Sequence, residues 1–393
     1  VSSFSFLTHA QQAALHRETY AHALKGLLPF GAAKDFAEQV IGITPVYLSN
    51  LLDPHHNPPS PELAERIVNA LPIDRDQQRS LLEHMLLARE VSSQAALSLG
   101  RHQADVEEMR GAHTHLRELY GQTLLTQTDN APFTPILTLH DAGKTLLIHL
   151  NPQRLPLIYV ETTLIVHAAQ MALNRWVDAL YLTRLADTIL HSVEEEAIQQ
   201  DWEWMQHLRI NVWYATAITY RSLNLPKPAL EQLDRAAHEL QRATQLNRSF
   251  WLPSLYREKM EIMARLPRFA LADAQTLIDQ VWTLIDKQGS SASFVMLMDR
   301  ALINALLHYG SRRSLKLAGQ RVQTWLDSPP IGSPLQQVMF WRTSARYFWR
   351  SGQQDAWRHT INLLLTTASR FELSHQLSAV QREYSAALDS LDR

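Results

Sequence analysis

Two stretches of this chain set large and small residues at the same offsets. Trp213, Ala217, Tyr220, Ala229, Leu233 and Ala236 form one series, and Phe340, Ser344, Tyr347, Ala356, Thr360 and Leu363 repeat it in register. A large residue, a small one four places on and an aromatic three beyond share one face of a helix. The second half of each series does the same for a second helix. Small residues let paired helices approach closely, and large ones fill the groove between neighbouring pairs. A chain patterned in this way is expected to stack helix pairs. Ala179, Thr183 and Ala186 carry the second-helix half alone, and 254–281 and 298–326 read as two-helix units with poorer matches. The repeats are therefore expected to be degenerate and uneven in length.

Other signals point the same way. Twelve glycines in 393 residues are few, and Ala, Leu, Gln and Arg dominate, which favours helix. Thr44-Pro45, Ser60-Pro61, Thr134-Pro135 and Ser333-Pro334 each place a capping hydroxyl before a proline at the first helical position. The first ninety residues divide into five short helices near 10–28, 33–41, 45–52, 61–71 and 75–90, broken by 29–31, Gly42, the loop 53–59 and Pro72. Residues 136–150, ILTLHDAGKTLLIHL, read either as a hairpin or as a helix. The spacing of Leu139, Ala142, Leu146 and Leu150 favours the helix. The expected fold class is all-α, with an N-terminal domain over 1–90, a helical linker over 91–131 and a repeat domain over 132–393.

The chain has no cysteine, so disulfides and thiolate metal sites are excluded. No run approaches the length of a membrane span, and the opening residues lack a basic stretch followed by an apolar one, so a cytoplasmic protein with no membrane partner is expected. The net charge of −2 is uneven. Residues 1–100 hold seven Lys/Arg and ten Asp/Glu, whereas 301–393 hold eleven and six. Charge alone would draw an anionic partner to the C-terminal third.

Residues 35–52 read DFAEQVIGITPVYLSNLL. Phe36, Ala37, Val40 and Ile41 are expected to form the inward face of one helix, Gly42 the turn, and Ile43, Leu48 and Leu51 the anchors of a second. Ala37 is small where the two helices would cross. This pattern resembles the helix-turn-helix of the phage-repressor-like XRE family over about residues 17–71. The resemblance implies a recognition helix whose Thr44, Pro45, Val46, Tyr47 and Asn50 face the major groove of double-stranded DNA, with Ser49 and Lys34 on the phosphate side. Lys34 stands where the family usually has a glutamine. The same helices, on a slightly acidic domain, also suit a protein-docking role, because little counterion release is available to them.

The two repeated series are similar to the tetratricopeptide unit, whose first helices line a concave groove in a right-handed superhelix. On that resemblance Asn211, Tyr214, Ile218 and Arg221 would face the groove, where an asparagine amide can both donate to and accept from a peptide backbone. In 338–357, VMFWRTSARYFWRSGQQDAW, Arg342, Arg346 and Arg350 stand four apart, amid Phe340, Trp341, Tyr347, Phe348, Trp349 and Trp357. Arg342, Arg346 and Trp349 could hold a carboxylate or phosphate by paired hydrogen bonds with cation–π support. The same pattern is equally that of a solvated arginine face over packed repeat aromatics.

No catalytic constellation is legible. His55-His56 and His113/His115 lack the helical metal-ligand spacing, residues 194–196 are a charge run, and DAGKT at 141–145 lacks the upstream glycine of a phosphate loop. No enzyme activity, cofactor or metal is expected. The combination resembles the peptide-responsive RRNPP regulators. That implies a homodimeric transcription regulator whose repeats dimerise and sense a short peptide or other small anionic ligand. The alternative is an adaptor that binds no DNA and holds a protein partner in its repeats.

Overall fold

The computed structural model describes residues 9–28, 33–54, 56–90, 106–125, 136–193, 201–243, 248–263, 265–266, 292–327 and 334–370, with single positions at 276, 279, 280, 283, 373, 377, 380 and 384. The protein is all-α, with no strand among the described residues. It forms two compact units. One comprises Val1–Arg117 with Leu139–Leu246, the other Glu118–Thr138 with Asn247–Arg393.

The first unit opens with α1 (His9–Leu27), the short α2 (Ala33–Asp35) running into a π-helical turn (Phe36–Ile41), α3 (Pro45–Leu51), α4 (Pro61–Ala70) and α5 (Arg75–Glu90). These are the five expected helices. Both Xaa-Pro starts work as the capping logic requires. The Thr44 hydroxyl accepts from the Tyr47 backbone N–H at 3.2 Å, and that of Ser60 accepts from the Leu63 N–H at 3.3 Å. The cap positions at Thr134 and Ser333 lie outside the described residues.

Next come α6 (Val106–Tyr120), which belongs to this unit as far as Arg117, a second π-helical stretch (Gly121–Leu125) assigned to the other unit, and α7 (Ile136–His149), which belongs to this unit from Leu139. Of the expected linker, 91–105 and 126–131 lie outside the described residues. Residues 136–149 are helical, as the spacing of Leu139 and Leu146 requires, and both leucines are buried. The helix pairs α8 (Pro156–Ala172) with α9 (Trp176–Ser192), and α10 (Trp202–Ser222) with α11 (Pro226–Arg242), complete the unit. α8 is buried on nearly every side, from Leu157 to Gln170. α1 packs along both α5 and α9, and α10 along α8, α9 and α11. The approach of α1 to the end of α10 is close: a side chain at Gly26 would stand 2.0 Å from the Leu223 carbonyl oxygen.

The second unit holds α12 (Arg248–Met263) and the pairs α13 (Ala292–Tyr309) with α14 (Arg312–Asp327), and α15 (Pro334–Arg350) with α16 (Gln354–Arg370). The later half of the unit expected at 254–281 lies almost wholly outside the described residues. The pairs in both units turn by one device. Asn174, Asn224, Gly310 and Gly352 take left-handed φ angles of 58–73° one or two residues after the first helix ends. The amides of Arg175, Leu225 and Gln353 then reach back to the carbonyls of Gln170, Tyr220 and Phe348 at 2.8–3.0 Å.

The repeated series falls mainly in the core. Ala217, Ala229 and Ala236 are fully buried between α10 and α11, as are Ala179, Thr183 and Ala186 on α9. Trp213, Tyr347 and Leu363 are half-buried, and Leu364 takes the fully buried position beside Leu363. Among the described residues no helix is long and apolar enough to cross a membrane.

Candidate functional site

The α2–α3 region presents a small outward face. Leu48 and Leu51 are buried and anchor α3, which leaves its opposite side to solvent. There Val46 is 70% exposed and Tyr47 41%, with Thr44 and Ser49 also exposed and Pro45 and Asn50 half-buried. Lys34 is exposed on α2, beside Asp35, and Glu38 is exposed on the turn that follows. α3 itself carries no charge. Gly42 joins the two helices at φ +73°, and both its N–H and that of Ile43 turn back to the Ala37 carbonyl. Ile43 is half-buried rather than a core anchor.

One expected inward residue is not inward. Phe36, Ala37 and Ile41 are buried, but Val40 is 55% exposed. The cause is the π-helical turn over Phe36–Ile41. It closes after five residues instead of four, so Ile41 takes the place below Phe36 and Val40 swings outward. Val40, Val46 and Tyr47 thus all expose apolar surface in this region.

On α10, Asn211, Tyr214, Ile218 and Arg221 follow one another along a single helical face and are all half-buried. A groove of about 620 Å³ opens elsewhere in this pair. It lies over Trp213 and is lined by Glu231, Asp234, Arg235, His238, Glu239 and Arg242 of α11. Its walls are charged with both signs, and none of the four predicted α10 residues lines it.

On α15, Arg342 and Arg346 are half-buried, each engaged with neighbouring groups, while Arg350 is exposed. Phe340, Phe348 and Trp357 are core residues. Phe340 packs at a tilt against Trp325 and edge-on against Trp341, with ring centroids 5.1 and 4.5 Å away. Trp349 is different: it lies 5.0 Å from Trp357 and 5.9 Å from Tyr384, yet remains 48% exposed.

The first unit also contains a set of buried histidines that their scatter along the sequence concealed. At the junction of α1, α5 and α9, His16 and His84 share a hydrogen bond between their Nδ1 atoms at 2.8 Å, and His16 stacks on Tyr181 at 5.0 Å. Asp178 stands 3.8 Å from His84 and accepts a hydrogen bond from Ser80. Burial and then the neighbouring His84 push the His16 pKa down to about 3. Burial opposes ionisation of Asp178, but the hydrogen bonds from His84 and Ser80 outweigh it and hold its carboxyl below the usual range. Further along, His167 bonds Thr219 at 2.8 Å, and burial alone lowers its pKa to about 3. His140 lies between Asp141 and Gln170, at 2.8 and 2.9 Å. His113 and Arg117 face Glu161 at 3.4 and 3.3 Å, and they outweigh the burial that would raise that carboxyl. No group of these side chains among the described residues is arranged to hold a metal ion. The networks join helices to one another.

Comparison with protein-family models, curated proteins and solved structures returned no match.

Proposed function

We propose that this protein is a DNA-binding transcription regulator. In this reading Thr44, Pro45, Val46, Tyr47 and Asn50 contact base edges, and Ser49 and Lys34 contact phosphates. The observation that carries it is the outward face of α3. A hydroxyl-capped helix is held from behind by Leu48 and Leu51, and it offers Val46 and Tyr47 for thymine methyl groups and Asn50 for an adenine edge. The helix pairs dimerise the chain and sense a ligand, a short peptide or other small anion. That ligand must bind the DNA-competent and incompetent forms with different affinities, since otherwise nothing switches.

One observation favours a second reading, an adaptor. Val40, Val46 and Tyr47 expose apolar surface where no cation stands on α3, which suits a protein surface as well as a DNA groove. Selection of bound fragments from the source genome at low salt separates the two, with Tyr47→Ala/Asn50→Ala as the control. The regulator reading expects a palindromic site that the control loses. Failure to enrich any site would leave α3 as a docking surface.

A further inference from the structure

Lys and Arg outnumber Asp and Glu in residues 301–393 by eleven to six, and three of these arginines stand at one edge of the second unit's helix pairs. Two residues join α13 to α14 and three join α15 to α16, so each pair runs antiparallel. A six-residue connection returns the chain from α14 to α15. α15 packs against both α13 and α14, and Trp325 near the end of α14 meets Phe340 in the first half of α15, so α15 runs antiparallel to α14 and parallel to α13. The C-terminal ends of α13 and α15 therefore lie on the same edge as both turns.

This edge is basic and aromatic. One turn carries His308, Tyr309, Arg312 and Arg313, and the other Trp349 and Arg350. Tyr309 is 47% exposed, close to the value for Trp349, and the three arginines are exposed. The two ends are near enough to interact: partial burial, then the guanidinium groups of Arg265 and Arg350, hold the His308 pKa below its ordinary value. Arg312 and Arg313 occupy the first turn of α14, where no acidic residue accompanies them. Cations there oppose the helix dipole, so the fold gains nothing from them. Neither forms an ion pair among the described residues. Asp355, in the first turn of α16, is an acidic counterweight on this edge.

We propose that this edge binds the phosphodiester backbone of nucleic acid without regard to sequence, Arg312, Arg313 and Arg350 meeting phosphates while Tyr309 and Trp349 offer flat faces to sugars or unstacked bases. Basic residues interleaved with exposed aromatics suit that polymer. The contact would supply the electrostatic attraction that the proposed reading domain lacks. It takes its setting from the regulator reading but is measured independently of it.

The test is fluorescence anisotropy of the full chain with a random-sequence duplex and with a thymidine homopolymer, over a salt series. Arg312→Gln/Arg313→Gln/Arg350→Gln is expected to weaken binding roughly tenfold at low salt. It should also lower the slope of log affinity against log salt by about 2 to 3, since each lost phosphate contact removes about 0.9 on duplex DNA and about 0.7 on a single strand. The corresponding triple lysine variant should keep both. Tighter binding of the duplex would assign the contact to double-stranded DNA, and tighter binding of the homopolymer to single strands. The proposal is overturned if the glutamine variant changes neither quantity, if the native chain binds neither probe, or if polyglutamate or anionic vesicles bind this edge as tightly as nucleic acid. A chain that binds random duplex through this edge but selects no genomic site would uphold the edge and sink the α3 reading. Site selection with an unchanged salt slope in the glutamine variant would do the reverse.

Discussion

At the residue scale, two glycines separate space from conformation. Gly42 has a positive φ of +73° and nothing within 4 Å of a would-be side chain, whereas Gly26 sits in a helix with the Leu223 carbonyl oxygen 2.0 Å from that position. Gly42→Ala therefore costs only left-handed strain, about 1–2 kcal/mol. Gly26→Ala forces α1 away from the end of α10 and should cost more, on the order of 3 kcal/mol, as overpacking against backbone does. Denaturant unfolding of both variants checks the order, and equal losses would mean that α1 shifts without penalty. The sequence marks Gly42 as a turn because it separates two apolar stretches. It gives no sign of Gly26, whose partner lies almost two hundred residues away. Asn174 and Asn224 were equally silent, since asparagine in the left-handed turn role is legible only once the following helix start is known.

At the element scale, most helices were legible because their ends are written locally. The Ser/Thr-Pro starts, the breaks at Gly42 and Pro72 and the four-and-three spacing placed the five N-terminal helices and the later pairs. What escaped was any departure from the ordinary helical period. A period of 3.6 places Val40 inward, and the π-helical turn, which nothing in FAEQVI announces, turns it outward. The histidine networks escaped for another reason: His16 and His84 are 68 positions apart, and only the packing of α1 on α5 brings them together. The candidate α3 face depends on its local start, because Thr44 supplies the bond to the Tyr47 amide. Thr44→Ala should lose about 1 kcal/mol of stability, while Thr44→Ser, which keeps the acceptor, should lose little. The two midpoints in urea, at unchanged slope, decide this. Equal loss in both would show that the threonine methyl, not the cap, stabilises the turn.

At the scale of the whole molecule, the two units should respond differently to acid. The first contains His16 and His167, each with a pKa near 3 in the folded state against an ordinary 6.5, and His22, His140 and His207, also lowered chiefly by burial. A depressed histidine pKa means that the unfolded chain takes up the proton first. The stability from such a group is complete above pH 6.5 and declines as pH falls toward 3, by about 1.4 kcal/mol per pH unit for each fully depressed group. The lowered carboxyls of Asp178 and Glu161 act in the same direction but at lower pH, because their stabilisation is lost only as pH falls through the carboxylate range. In the second unit the described histidines, His308 and His359, lie at the surface, and His308 is lowered only in part by burial. Acidification from pH 7.5 to 5 should therefore separate thermal unfolding into two transitions. Hydrogen exchange should assign the earlier one to peptides from Val1–Arg117 and Leu139–Leu246. His167→Leu should flatten the pH dependence of that transition by about 1.4 kcal/mol per pH unit between pH 6 and 4, since it removes a buried imidazole and leaves Thr219 bonded to the Ala215 carbonyl. A single transition with the same pH slope in the native and variant chains would show that these histidines do not set the acid stability of the unit.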